Sequence, residues 1–239
     1  MADDPITYSE IDFFPVDIIV EPKSKGDIFI GVDVLMLISY ASVEAHKKAI
    51  TAAHRSGVSH IFYSTLAFEG NCEKTSEYMA TELSNSMTYT AIREGLRSDL
   101  FSVYLAMFDP RHPVEEITIP HSGSGPGIAW AKRDELGKAT AKTIVLYIEK
   151  PEIFRLMNQV LLLSRSEVLC LKEIVQVLRR VIGKHRMIRE DSADEYASLP
   201  QVRDTFTYLG AAVVSPLLGE ILRREPVRFE TTERGMLDS

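Results

Sequence analysis

Cysteine is scarce in this chain, and its scarcity excludes a good deal. Only Cys72 and Cys170 occur among 239 residues, in no C-x-x-C spacing, so a disulfide scaffold is excluded and a reducing, intracellular compartment is expected. Uninterrupted apolar runs of about 18 residues are lacking too, and the opening Met1-Ala2-Asp3-Asp4-Pro5 has neither the basic region nor the apolar stretch of a signal peptide. A soluble, cytoplasmic protein with no membrane partner is the expectation. The balance of 27 Lys and Arg against 34 Asp and Glu, net −7, leaves no concentrated basic face for a nucleic acid. The short cluster Arg179, Arg180, Lys184, His185 and Arg186 reads as a solvated helix end followed by acidic Glu190 and Asp191. The six histidines, His46, His54, His60, His112, His121 and His185, form no H-x-x-x-H or H-E-x-x-H, so no metal is expected, and His46 and His54 read as lying on a solvated helix face. No G-x-S-x-G motif supports a hydrolase.

What is present is a pattern of strands alternating with helices. Asp33 to Ser39 is a continuous apolar run of the kind a buried parallel strand needs, Val43 to Ser56 has helical spacing closed by Gly57, and His60 to Thr65 is again strand-like. A loop at Gly70, a short helix near 75–84 and a strand from Thr88 to Ile92 follow, predicting a parallel sheet covered by helices on both faces. Residues 1–31 are interrupted by Pro5, Pro15 and Pro22, with Phe13 to Val20 as a candidate strand.

Further along, Asp134 is placed to cap a helix reaching Ile148 and ended by Pro151, and a helix from Leu171 presents Ile174, Val175, Leu178, Val181 and Ile182 on one face before Gly183. Asp204 to Leu222 is apolar enough for another helix, bent or broken by Gly210, Pro216 and Gly219. The expected organisation is one α/β domain, with a Rossmann-like core over about 1–150 and a small C-terminal α/β substrate lobe, mainly helical, over about 151–239. Ser122-Gly123-Ser124-Gly125-Pro126-Gly127 could be taken for a phosphate cradle. No helix follows it at once and Pro126 has no N–H to donate, so a surface turn is the better reading.

Taken in order, these pieces resemble the NmrA-like branch of the atypical short-chain dehydrogenase/reductases over roughly residues 26–198. Ile30 to Ser39 looks like the family's "-GVDVLLLIS-" strand, and Ala52 to Leu66 like its "-A-AGVKHIVYTSL-" helix and strand. Thr88 to Gly95 looks like "-YTILRPG-", Ala129 to Ala139 like the loop and helix start that close the sheet, and Glu173 to Lys184 like part of the small C-terminal lobe. The resemblance implies an NAD(P)-binding Rossmann fold. It also implies either NADPH-dependent (less readily NADH-dependent) reduction of a quinone or aromatic carbonyl, in fungal members within secondary metabolism, or a non-catalytic cofactor-sensing or partner-binding role.

One departure concerns the cofactor. Neither G-x-G-x-x-G nor G-x-x-G-x-x-G occurs, and the family's first strand and glycine-rich turn would need more residues before Asp33 than are present. An incomplete Rossmann-like sheet is therefore expected, whether through a truncated gene model, a degenerate paralogue or a rebuilt N-terminus. Loss of that turn removes backbone donors and a helix N-terminus from the pyrophosphate. A sheet edge left open there would favour a homodimer.

The second departure concerns catalysis. The short-chain dehydrogenases' Tyr-x-x-x-Lys becomes Tyr78-Met79-Ala80-Thr81-Glu82, and a carboxylate in the lysine's place works against a phenolate. Tyr78 is the catalytic candidate, read against a packed helical tyrosine. Strand ends supply the rest: Ser39, Tyr40, Ser64, Thr65 and Arg93 for the cofactor, and Leu66, Phe68, Gly95 and Leu96 for a flat small-molecule substrate.

Overall fold

The computed structural model describes residues 29–38, 42–66, 70–82, 87–105, 108–120, 123–183, 187–192, 194–195 and 212–237. Four apolar stretches rich in β-branched and aromatic residues form its main sheet: β1 (Val34–Ile38), β2 (His60–Leu66), β3 (Thr88–Glu94) and β5 (Gln159–Leu163), all parallel and in the order β1-β2-β3-β5. Parallel neighbours need helical crossovers. These are α1 (Val43–Arg55), α2 (Gly70–Glu82) and α3 (Arg133–Glu149).

Local chemistry fixes the ends of these helices. The Ser42 hydroxyl accepts from the Ala45 N–H at 3.3 Å to open α1, and Gly57, at φ +90°, turns the chain into β2 in a conformation other residues resist. Lys132, not Asp134, occupies the N-cap of α3; Asp134 sits within its first turn, where a carboxylate favours the helix dipole instead. The helix expected near 75–84 starts earlier, at Gly70.

Alternation along each strand divides the sheet's cover into two layers. Ile61, Tyr63, Tyr89 and Ala91 pack toward α1 and α2, around Ile50, Ala53 and Met79. Phe62, Ile92, Leu161 and Leu163 pack the other way, against Leu136 and Ala139 of α3 and against Leu218 and Leu222 of α5 (Leu217–Leu222). Of the helix expected over 204–222, α5 is the described part, beginning directly after Pro216; residues 204–211 lie outside the described residues, as does the candidate strand 13–20.

His46 corrects an expectation. It is 4% exposed, not solvated, with its Nδ1 3.4 Å from Thr75 Oγ1 and 3.5 Å from Tyr63 Oη. The reason is α2, which covers the face of α1 that would otherwise meet water.

A second core makes the lobe. β4 (Glu116–Pro120) and β6 (Met187–Asp191) pair in parallel as a two-stranded sheet, flanked by α4 (Leu171–Ile182), α6 (Phe229–Leu237) and a 3-10 helix, Ser98–Leu105. Leu96, Phe101, Ile117, Trp130, Ile174, Leu178 and Phe229 are buried together there. The lobe is thus α/β, and the packing does not change near residue 150: β5 returns to the main sheet while residues 96–130 supply part of the lobe core. As expected, α4 ends at Gly183, φ +71°, whose N–H donates to the Arg179 carbonyl at 3.1 Å. Ser124, Gly125 and Pro126 are exposed, as a surface turn requires.

Candidate functional site

Because the four strands of the main sheet run parallel, their carboxyl ends share one edge, the place where ligands of doubly wound sheets gather. β2 brings Ser64, Thr65 and Leu66 to that edge, β3 brings Arg93 and Glu94, and β5 ends in Leu163 before Ser164 and Arg165. Register sorts them. Thr65 lies opposite Arg93 on the α1–α2 face, while Leu66 lies opposite Glu94, and Glu94 opposite Leu163, on the α3–α5 face.

Of the residues named from sequence, the structure therefore gathers Ser64, Thr65, Leu66 and Arg93. Thr65 is 2% exposed and its hydroxyl donates to the Leu66 carbonyl at 3.3 Å, whereas the Ser64 hydroxyl has no hydrogen-bond partner among the described residues. Gly95 is buried at the same edge. Its N–H donates to the Leu163 carbonyl at 2.8 Å, and an added Cβ would lie 3.1 Å from that oxygen and from Ser164 Cβ. Leu96 is 4% exposed in the lobe core, so its packing is accounted for there. Ser39, Tyr40 and Phe68 lie outside the described residues.

Tyr78 sits elsewhere. Its hydroxyl is 3.0 Å from Thr51 Oγ1, and Lys47 Nζ lies 5.4 Å from its ring centroid. Thr51 is eight residues into α1, about 12 Å along the helix axis from the sheet's carboxyl edge. The tyrosine lines an open groove of about 520 Å³ between α1 and α2, with Glu44, Lys74 and Glu77, rather than the strand ends.

Two charged residues at the edge escaped the sequence reading. Glu94 is half-buried at the last position of β3, where burial pushes its carboxyl above the ordinary range against the opposing pull of Arg97. No described residue hydrogen-bonds to it. Arg165 is 5% exposed; its Nη2 donates to Glu167 at 2.9 Å, and its Nε has no partner among the described residues. The signal for Glu94 was legible: a carboxylate ends the strand where the resembling motif has proline. Arg165 gave none, because its burial is a product of tertiary packing.

This arrangement is the fold of the Rossmann-type NAD(P)-binding reductases and epimerases. A quinone oxidoreductase from Escherichia coli, solved with NADPH, superposes with a TM-score of 0.67 at 20% identity, over 90% of this chain and 79% of that one. The triphenylmethane reductase of a Citrobacter species, solved with NADP(H), gives 0.65 at 22% identity, over 90% and 80%. No family model matches the chain. In sequence, the NmrA-like family domain-containing oxidoreductase flvB of Aspergillus flavus is 27% identical over 217 residues, which are 80% of this chain. The chain spans 66% of that relative's length. The resemblance to NmrA-like proteins read from the fragments is borne out by this relative, and the Rossmann-like sheet by the solved structures.

Proposed function

We propose that the protein is an NAD(P)-dependent oxidoreductase that uses NADPH in preference to NADH to reduce a quinone or related aromatic carbonyl, in a setting of fungal-type secondary metabolism. The observation that carries this reading is the carboxyl edge of the parallel sheet, where hydroxyl and guanidinium groups meet the half-buried Leu66 in a fold shared with NADPH-bound reductases. The donor set fits the nicotinamide end of such a cofactor. In this reading Thr65 and Arg93, opposite each other on adjacent strands, hold it, and Ser64 lies on the other face. When bound, NADPH supplies a hydride.

The chain's own share is then positioning. Leu66, half-buried, offers an apolar wall to a flat ring, and Gly95 keeps the gap between β3 and β5 closed beneath it. Exclusion of water by such walls strengthens every polar contact made at the edge. Among the described residues no helix is long and apolar enough to cross a membrane.

A second reading, a non-catalytic cofactor-sensing or partner-binding role, is favoured by β1. It is the edge of the main sheet among the described residues, its side chains are only half-buried, and Ile38 is 69% exposed. Parallel strands are ordinarily covered on both faces, and homodimer formation is one way to cover this one.

Titration of the purified protein with NADPH and NADH by calorimetry separates the readings. Micromolar binding with preference for NADPH, followed by oxidation of the cofactor on adding a quinone, supports the enzyme. A folded protein that binds neither cofactor at millimolar concentration sinks it.

A further inference from the structure

We propose that Glu94 is the proton donor to the substrate's carbonyl oxygen, with the Ser64 hydroxyl as a second donor to the same oxygen. The inference rests on the reading of the protein as a carbonyl or quinone reductase, and adds the residue that performs the acid chemistry.

Placement comes first. Glu94 closes β3, a strand paired on both sides, so its carboxyl stands at the carboxyl edge of the sheet with Leu66 on one side and Leu163 on the other. Ser64 lies on the same face, two residues before Leu66. Strand spacing of about 4.8 Å and a rise of about 3.3 Å per residue put the Ser64 and Glu94 Cα atoms roughly 8 Å apart. A serine hydroxyl and a glutamate carboxyl reaching toward each other from that separation leave space for one oxygen atom between them.

Both groups are available. Neither is hydrogen-bonded to a described residue, and neither is among the polar atoms sealed from solvent. Tyr78, the alternative acid, has its hydroxyl 3.0 Å from Thr51 in the α1–α2 groove.

The neighbourhood favours the protonated form of the carboxyl. Its flanking residues on β2 and β5 are uncharged, and burial raises its affinity for a proton. The opposing influence is Arg97, just beyond β3, whose guanidinium also faces Asp99 at 3.9 Å. Arg93 projects to the other face of the sheet, Arg165 is engaged by Glu167, and on α3 Glu135 is engaged by Arg224 and the Val227 N–H. In its protonated form such a carboxyl can donate where a carboxylate cannot.

The balance is simple. Reducing the carbonyl takes a hydride equivalent from the nicotinamide, which becomes oxidised, and one proton from the carboxyl Oε. The Glu94 O–H bond breaks as the product O–H forms, and the carboxylate recovers a proton from water at the edge.

Three proteins test this: wild type, Glu94→Gln and Glu94→Asp, each checked for an unchanged thermal melt. Infrared difference spectra of the cofactor-free protein at neutral pH should show a protonated-carboxyl band that Glu94→Gln lacks. With 1,4-naphthoquinone as probe, Glu94→Gln should lower kcat about 100- to 1,000-fold and abolish the fall in rate at alkaline pH. NADPH affinity should be unchanged, and Glu94→Asp should restore part of kcat and the pH limb. An unaltered kcat and pH profile in Glu94→Gln, with wild type active, overturns the assignment while leaving the reductase reading intact, as does an ionised Glu94 in the infrared. A wild type that binds no NADPH, or binds it and reduces no quinone, defeats the reductase reading and this assignment together.

Discussion

Gly95 and His60 show how little latitude single positions have at this sheet. Gly95→Ala would place a methyl 3.1 Å from the Leu163 carbonyl oxygen and the Ser164 Cβ, and neither the backbone oxygen nor the buried Ser164 has room to retreat. We expect a loss of about 1–3 kcal/mol in urea unfolding, with a larger fall in reductase activity because Ser164 and the β3 end shift together. His60 is fully buried, with Nδ1 2.7 Å from Thr88 Oγ1, Nε2 3.1 Å from Thr90 Oγ1, and Tyr147 stacked at 4.1 Å. Burial lowers its pKa from 6.5 to about 4, so the folded state holds it neutral while the unfolded chain takes up a proton. Its contribution is complete above pH ~6.5 and is lost as pH falls toward ~4, about 3 kcal/mol in all. Urea midpoints at pH 7 and pH 4.5 check this. His60→Phe, whatever its own stability, should show a smaller drop between the two.

Among the elements, α6 carries the most pronounced conflict. Glu233 is 1% exposed, neither carboxylate oxygen has a hydrogen-bond partner among the described residues, and burial together with the charge of Asp99 pushes its pKa to about 8. Asp99 itself faces Arg133 at 3.5 Å and Arg97 at 3.9 Å, while Glu230 on the outer side of α6 is bonded by Arg180 and Arg234. A raised folded-state pKa means stability fully present below ~4.5 and lost as pH rises through ~8. Trp130 is the chain's single tryptophan and packs on Phe229 of α6 at 5.7 Å, so it reports the docking directly. Its emission should change with a midpoint near pH 8 in the wild type and stay flat in Glu233→Gln. An unshifted titration in the variant would show that α6 is held otherwise. For α4, Leu178 is fully buried, and Leu178→Ala should cost about 2–5 kcal/mol, read as a lowered denaturant midpoint.

For the whole molecule, the test is whether ligand binding stabilises the fold. A cofactor held at the strand ends binds the folded state alone, so NADPH at about 100 times its dissociation constant should add about 2.7 kcal/mol and raise the melting temperature by several degrees. Arg93→Ala should lose most of that increment. Two cores make the outcome informative, since the lobe and the main sheet meet at the ends of β3 and β5, where the Arg97–Ala131 bridge and the Gly95–Leu163 hydrogen bond lie together.

How much of this could be read beforehand follows from the range of the forces involved. β1, α1, β2, β3 and the Gly183 stop of α4 were legible because alternation, helical spacing and left-handed glycines act within a few residues. β5 was missed, since Val160 to Leu163 is too short an apolar run to tell strand from helix by period, and its place beside β3 is a pairing over some 70 residues. The β4–β6 pair escaped for the same reason: three of the five residues from Met187 to Asp191 are charged, and the segment becomes a strand only against Glu116 to Pro120. His46 read as solvated until α2 covered it. The chain's own order of residues determined the parallel sheet, its covering helices and the strand ends at which a site would form, because those depend on local pattern. Only the tertiary structure decided that Ser64 and Glu94 share a face, that Tyr78 stands apart from them and that Glu233 lies buried beside Asp99. Each of these is a contact between distant segments, and burial, which sets the charge of such groups, exists only once the segments have met.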